Sequence, residues 1–358
     1  MKKTTLITFL IVLSQLSVFS QATFKETIKN YEDICFCNYE LAHPVEILYL
    51  DNNLELLFAM KEGKTINQLK KSGFKFTKSQ INLLKYSKLI EKKDSLYQSI
   101  VPILSEDETQ KLREETMVMS KEILPLLQDD YTKLCQLLKS KDLENNIFAI
   151  FFAYLLDGLV WDLLKEQNLI HDHVTTKDKP FWNGTFWLME PKRLFSCGTN
   201  SIETDKYSIN VNWSHNSKIK VSSYKKLKQL VNDYSENGKV TRIDIISEFK
   251  KYGICDKNGI LLIPIIENNK TDDIYAQSVF IAEKVFNYLK NHINYSSILT
   301  ETPGLTQGQK ITILYHEIMW DILDTMEEKG LIQKPVAFKD PEKAKDMDLS
   351  HLIFIIKK

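Results

Sequence analysis

The strongest constraint on this chain is a pattern that occurs twice. Residues 85–104 read KYSKLIEKKDSLYQSIVPIL, and residues 249–266 read FKKYGICDKNGILLIPII. Each is the end of a helix, a charged turn and an apolar run closing on Pro-Ile. A long amphipathic helix is expected after each. Its apolar stripe is Leu112, Met119, Ile123 and Leu126 in the first copy. In the second it is Ile274, Ile281, Val285 and Tyr288, with the same steps of 7, 4 and 3. A second helix follows, LDGLVWDLL (156–164) in one copy and YHEIMWDIL (315–323) in the other. Pro102 lies 59 residues before Trp161, and Pro264 lies 56 before Trp320. Strand-like runs close both copies, FWNGTFWLM (181–189) and HLIFIIK (351–357). The chain reads as repeat unit 1 over 21–195 and repeat unit 2 over 196–358, joined near 195–225.

Upstream of the first Pro-Ile run, LELLFAMKEG (54–63) suits a helix ended by Gly63, and TINQLKKSG (65–73) a short helix ended by Gly73. TKSQINLLKYSKLI (77–90) suits a third, with Thr77 as its cap. Three short helices followed by a two-stranded ribbon resemble a winged helix, at the level of the superfamily and through the order of elements alone. The expected fold is therefore α+β and mainly helical. It has two similar units, each a winged-helix-like helical triplet with a β-ribbon, then two longer helices and a strand. Between the copies, KYSINVNWSH (206–215) alternates as a strand with one buried side, and KIKVSS (218–223) is its expected hairpin partner.

The first twenty residues stand apart. Lys2 and Lys3, the apolar run Leu6–Leu13, and small residues Val18 and Ser20 before Gln21 have the layout of a secretory signal peptide. The apolar run is short of the roughly 20 residues a membrane span needs. A secreted or periplasmic location is expected. The 43% hydrophobic and 26% charged content is that of a globular chain, and the balanced 47 basic and 47 acidic residues argue against a global polyanion partner. Cys35, Cys37, Cys135, Cys197 and Cys255 are odd in number, so at least one stays unbridged within the chain; Cys35 and Cys37 are spaced C-x-C. IFAIFFAYLLDGLV (147–160) is apolar enough to raise a membrane span, but Asp157 inside it favours a buried core helix.

Three sets of residues are candidates for chemistry. YHEIMWDIL looks like half of a zinc-hydrolase box, with His316 and Glu317, but Trp320 stands where the second histidine belongs. The Trp-Asp pair recurs as Trp161-Asp162, which reads as architecture. His171 and His173 in IHDH (170–173) share a face if extended and are candidate metal ligands. Residues 61–93 hold ten lysines against Glu62 and Glu91. Of these, Lys70, Lys71, Lys78, Lys85 and Lys88 are candidate polyanion contacts, although export and the absence of arginine disfavour nucleic acid. The aromatic run KPFWNGTFWLMEP (179–191) fills a core or, if Asn183-Gly184 turns, brings Trp182 and Trp187 together. No Gly-rich phosphate loop and no G-x-S-x-G elbow occur, and no cofactor is expected. The leading expectation is an exported, non-enzymatic binding protein with a protein or surface partner, a dimer being one such form. The rivals are a metal-assisted hydrolase using His316 and Glu317, and a polyanion binder through 61–93.

Overall fold

The computed structural model describes residues 28–39, 43–170, 181–193, 196–214, 224–296, 298, 305–340 and 342–358. The chain is α+β and mainly helical, 56% helix and 17% strand. Strand β1 (Glu32–Tyr39) precedes four short helices, α1 (Pro44–Leu48), α2 (Asn53–Ala59), α3 (Ile66–Lys71) and α4 (Lys78–Tyr86). The hairpin β2 (Ile90–Lys93) and β3 (Leu96–Ser99) leads into the long helix α5 (Glu106–Ser140). A continuous helical run follows: α6 (Ile147–Ala149), a π-helical stretch (Ile150–Val160) and α7 (Trp161–Glu166). Then come β4 (Trp182–Met189), β5 (Cys197–Glu203), β6 (Tyr207–Ser214), α8 (Tyr224–Asn237), α9 (Ile243–Phe249) and β7 (Ile265–Glu267). The chain closes with α10 (Asp273–His292), α11 (Gln307–Glu328), α12 (Val336–Lys339) and β8 (Ile353–Lys357).

By packing, the chain forms two compact units, neither of them continuous in sequence. The first takes residues up to Leu112 with 171–193 and 302–312; the second takes Arg113–Ile170, Leu194–Glu301 and Ile313–Lys358. In the first unit the three expected helices form as α2, α3 and α4. Thr65 and Thr77 each close a capping box, with Gln68 and Gln80 at the third helical position. Gly73 takes a left-handed φ of 86° directly after the cap of α3, as expected, whereas α2 already ends at Ala59, four residues before Gly63 (φ 75°), with Met60 as its cap. Leu56, Leu57, Leu69, Leu84 and Ile90 point inward to a shared core with Phe186 and Leu188 of β4. Of the two alternatives for the aromatic run, the turn at Asn183-Gly184 does not form. Asn183 pairs with Asn38 and Gly184 with Cys37, because β1 offers an antiparallel ladder along the whole of β4. Trp182 and Trp187 therefore keep opposite faces. Trp187 is fully buried, while Trp182 is half-buried and donates Nε1–H to the Ser87 carbonyl at 2.7 Å.

In the second unit the sheet order is β5-β6-β8-β7, antiparallel except for the β7–β8 pair. The expectation of one buried side for β6 is wrong. Ser208, Asn210 and Asn212 are buried as well as Tyr207, Ile209 and Val211, since β6 is an interior strand. Cross-strand polar pairs serve these side chains: Thr199 donates to Asn212 at 3.1 Å, Ser201 to Asn210 at 2.6 Å, and Ser208 to Glu203 at 2.8 Å. The partners of β6 are β5 and β8; the segment 218–223 lies outside the described residues.

The apolar stripe expected on α5 is half right. Leu112 and Ile123 are buried, but Leu126 is 49% exposed. The buried face instead runs through Thr116, Ser120, Ile123, Leu127, Tyr131, Leu134 and Leu138. Small hydroxyl residues let helices approach closely, and their polarity hid the face from a hydrophobic count. The apolar run Glu144–Glu166 is long enough to cross a membrane by length and composition, and 67% of its most apolar window is buried inside the fold. It packs against α10, whose expected stripe of Ile274, Ile281, Val285 and Tyr288 is buried.

Two glycines with similar backbone angles test this description. Gly259 has φ +79°, and an added Cβ would lie 1.8 Å from the Val240 carbonyl oxygen; Gly238 has φ +70° and open space around it. Gly259→Ala is expected to lower stability by about 3 kcal/mol or more. Gly238→Ala should cost only the left-handed backbone penalty of about 1 kcal/mol. Denaturant unfolding of both variants checks the contrast.

Candidate functional site

The half metal box lies on α11, which is bound to α5 by a polar ladder. Glu317 has no exposed surface, and its Oε2 accepts from Arg113 Nε at 2.9 Å. One turn on, Asp321 Oδ2 accepts from the Thr116 hydroxyl at 2.6 Å. Another turn on, Thr325 and Ser120 share a hydrogen bond of 3.1 Å, and the Thr325 hydroxyl also donates to the Asp321 carbonyl at 2.7 Å. Residues 317, 321 and 325 are four apart, so one helix face presents all three.

His316 faces elsewhere. Its ring is flanked by Trp161 at 5.6 Å and Trp320 at 5.8 Å between centroids, with Tyr315 at 6.3 Å. Trp161 and Trp320 are both buried, and the Trp320 indole N–H donates to the Cys197 carbonyl at 3.0 Å. Tyr315 donates to the Leu156 carbonyl at 2.5 Å. The two residues of the box thus diverge, with the imidazole in an aromatic slot and the carboxylate on a guanidinium. The other candidates are placed as follows. Lys70, Lys71, Lys78, Lys85 and Lys88 are all exposed. His171 and His173 lie outside the described residues. Among the described residues no cluster of three or more His, Cys, Asp or Glu has the arrangement of a metal site.

A further carboxyl, which the hydrolase reading offers with His171 as a partner for His316 and Glu317, stands close by. Asp157 sits in the π-helical stretch, a rare helix form that often marks functional positions. Burial pushes its carboxyl up to about 7, while the Thr199 hydroxyl of β5, whose one proton Asp157 shares with Asn212, works in the opposite direction. Asp157 also adds to the rise in the Tyr315 phenol, after burial itself. A carboxyl that titrates near neutrality beside a hydroxyl and a phenol can hold or release a proton in the physiological range.

A second such group is on β1. Cys35 is half-buried, and its thiol is pulled down to about 6, first by a hydrogen bond from Cys37 and further by His43, against the effect of burial. The C-x-C spacing was visible in the sequence; the approach of His43, eight residues from Cys35, was not. No protein family, no curated protein and no solved structure matches the chain.

The sign of the Asp157 effect is opposite to that of a salt-bridged acid. A carboxyl raised in the folded state favours folding fully below its unfolded value of about 3.9, and that contribution is lost as pH rises through about 7. Asp157→Asn keeps an acceptor for Thr199 and removes the charge. Its melting temperature should exceed that of the wild type at pH 8, by a margin that shrinks as pH falls and closes near pH 4, as followed by circular dichroism.

Proposed function

We propose that this chain is an exported interaction protein built from two copies of one winged-helix-like plan, and that it pairs with a second copy of itself. Export rests on the leader-like residues 2–20. Several paired hydrogen bonds support a common plan. Leu188 N–H donates to the Pro102 carbonyl, and Ile355 N–H to that of Pro264, each at 2.9 Å. Leu89 N–H donates to Leu84, and Ile254 N–H to Phe249, at 3.0 and 3.2 Å. Lys88 and Gly253, which precede these two donors, both have left-handed φ, 58° and 70°. Ile100 N–H returns to Leu89 as Leu262 N–H returns to Ile254, both at 2.9 Å.

The observation that carries the binding reading is an exposed apolar edge in the second copy. Ile243, at the first position of α9, is 84% exposed, Ile260 is 55% and Leu262 is 51%. The hairpin holding Ile260 and Leu262 is tied to the start of α9, because Val240 N–H donates to the Gly259 carbonyl at 2.8 Å. An added Cβ on Gly259 would lie 3.2 Å from Ile246, one turn after Ile243 on the same helix face. Leaving such side chains in water is unfavourable unless a partner covers them. Charges of both signs border the edge, with Arg242 paired to Asp244 at 2.7 Å and Lys226 paired to Glu248. A twofold contact needs only one self-complementary patch, and mixed charge permits it. The patch is small, so the pairing is weak, with a dissociation constant on the order of micromolar to millimolar.

Sedimentation across that concentration range tests the reading. The wild type should shift from monomer to dimer, and the doubly substituted Ile243→Glu, Ile260→Glu chain should stay monomeric. A wild type that is monomeric throughout contradicts it.

A polyanion-binding reading is favoured by a separate observation. Lys70, Lys71, Lys78, Lys85 and Lys88 are exposed, and none is paired to a carboxylate among the described residues. Lys78 is the first residue of α4, where a cation opposes the helix dipole, so it does not serve helix stability. On a heparin column, Lys78→Glu combined with Lys85→Glu should elute at lower salt than the wild type. Unchanged elution removes this reading.

A further inference from the structure

The geometry around β1 points to Cys35 as a thiol–disulfide exchange site, with Cys37 and His43 as its positioning residues. Cys35 and Cys37 are two apart on a regular strand, so both side chains leave the same face, with Asp33 before them. The antiparallel register sets Phe186 opposite Cys35 and Gly184 opposite Cys37. The glycine puts no side chain beside Cys37, and Cys35 keeps partial exposure. Cys37 also reaches the Thr185 carbonyl, with Sγ at 3.4 Å.

His43 is held by its own helix. It caps α1, and its Nδ1 accepts the Val45 N–H at 3.2 Å. That leaves Nε2–H as the donor to Cys35. Burial works against charge on the ring while Cys35, Asp33 and Glu46 outweigh it and raise its titration; the ring is neutral as long as Nδ1 accepts from Val45, and protonation would cost that cap bond. As a thiolate, Cys35 can receive the imidazole N–H and, when the single Cys37 S–H turns from the Thr185 carbonyl, that thiol proton as well. Asp33 opposes its ionisation, but the Tyr49 hydroxyl donates to Asp33 at 2.7 Å. Cys37 is shifted the other way, raised by burial and by its bond to Cys35. The pair is therefore divided into one ionised nucleophile and one protonated donor.

The reaction is the attack of the Cys35 thiolate on one sulfur of a disulfide R–S–S–R. The Cys35–S–S–R bond forms, the original S–S bond breaks, and R–S⁻ leaves with the electron pair. Cys35 is oxidised and the departing sulfur is reduced. Because a low-pKa thiol is also a good leaving group, a second thiol readily reverses the step. The rate advantage depends on pH. At pH 5.5 a thiol titrating near 6 is roughly 200 times more ionised than an ordinary one, and its lower nucleophilicity takes back about tenfold. A net advantage of about twentyfold remains, and it disappears by about pH 7.5.

The test is carboxamidomethylation of the reduced full-length chain by iodoacetamide, from pH 5 to 9, with each cysteine followed by peptide mapping. Cys35 should label with a midpoint near pH 6, ahead of the other four thiols. His43→Asn keeps an acceptor for Val45 but lacks the imidazole, and should move the midpoint up by at least one pH unit. Cys37→Ala should do the same, whereas Cys37→Ser, which still donates, should restore the low midpoint. Incubation with oxidised glutathione at pH 6 should add one glutathionyl group to the wild type and none to Cys35→Ser. A Cys35 midpoint of 8 or above, failure of Cys35 to label in the folded chain, or a midpoint unmoved by both His43→Asn and Cys37→Ala overturns the assignment.

Discussion

The second unit depends on a polar seam between two helices distant in sequence. Glu317 is completely buried, and a buried carboxylate is tolerable only with a cation and hydrogen bonds in place. Arg113 supplies the cation, and Thr116 and Ser120 continue the contact one and two turns on. A shift of α11 by one turn would leave Glu317 without its guanidinium and Asp321 without its hydroxyl. The seam therefore fixes the register of the pair. With register fixed, Trp320 reaches the Cys197 carbonyl at the start of β5, and Tyr315 reaches Leu156 in the π-helical stretch. The slot around His316 follows from those two anchors.

The seam also places the two Pro-Ile runs and the two Trp-Asp pairs in space. Helix α5 follows the first Pro-Ile run and α11 carries the second Trp-Asp pair, yet the two lie side by side. Helix α10, after the second Pro-Ile run, packs on the π-helical stretch that leads into the first Trp-Asp pair. Long helices paired crosswise explain why the compact units are discontinuous in sequence while hydrogen bonds such as Leu188 to Pro102 and Ile355 to Pro264 recur locally. The Trp-Asp motif has a packing role in both helices. The motif supplies a buried indole in each helix and, in α11, a carboxylate bonded to Thr116.

Local signals were legible in the sequence. The caps at Thr65 and Thr77, the terminator Gly73, and strands β4, β6 and β8 follow from residue types within a few positions. What was hidden is non-local. The buried face of α5 carries Thr116 and Ser120, whose partners are 205 residues away in the chain. Burial of both faces of β6 depends on β5 and β8 flanking it. The behaviour of Asp157 depends on Thr199 from the sheet, and that of Cys35 on His43 arriving at the cap of a separate helix. A hydrophobic count scores hydroxyls and amides as surface, so it fails where polar groups satisfy one another inside.

The most direct test of the account is a double-mutant cycle on Arg113 and Glu317, measured by denaturant unfolding. Arg113→Met and Glu317→Gln should each destabilise by about 3–5 kcal/mol, since either leaves one buried group without its partner. The combined change should cost clearly less than the sum of the two, with a coupling of at least about 2 kcal/mol. Small single losses that add without coupling would mean that the ion pair does not set the register of the helices, and would contradict the account.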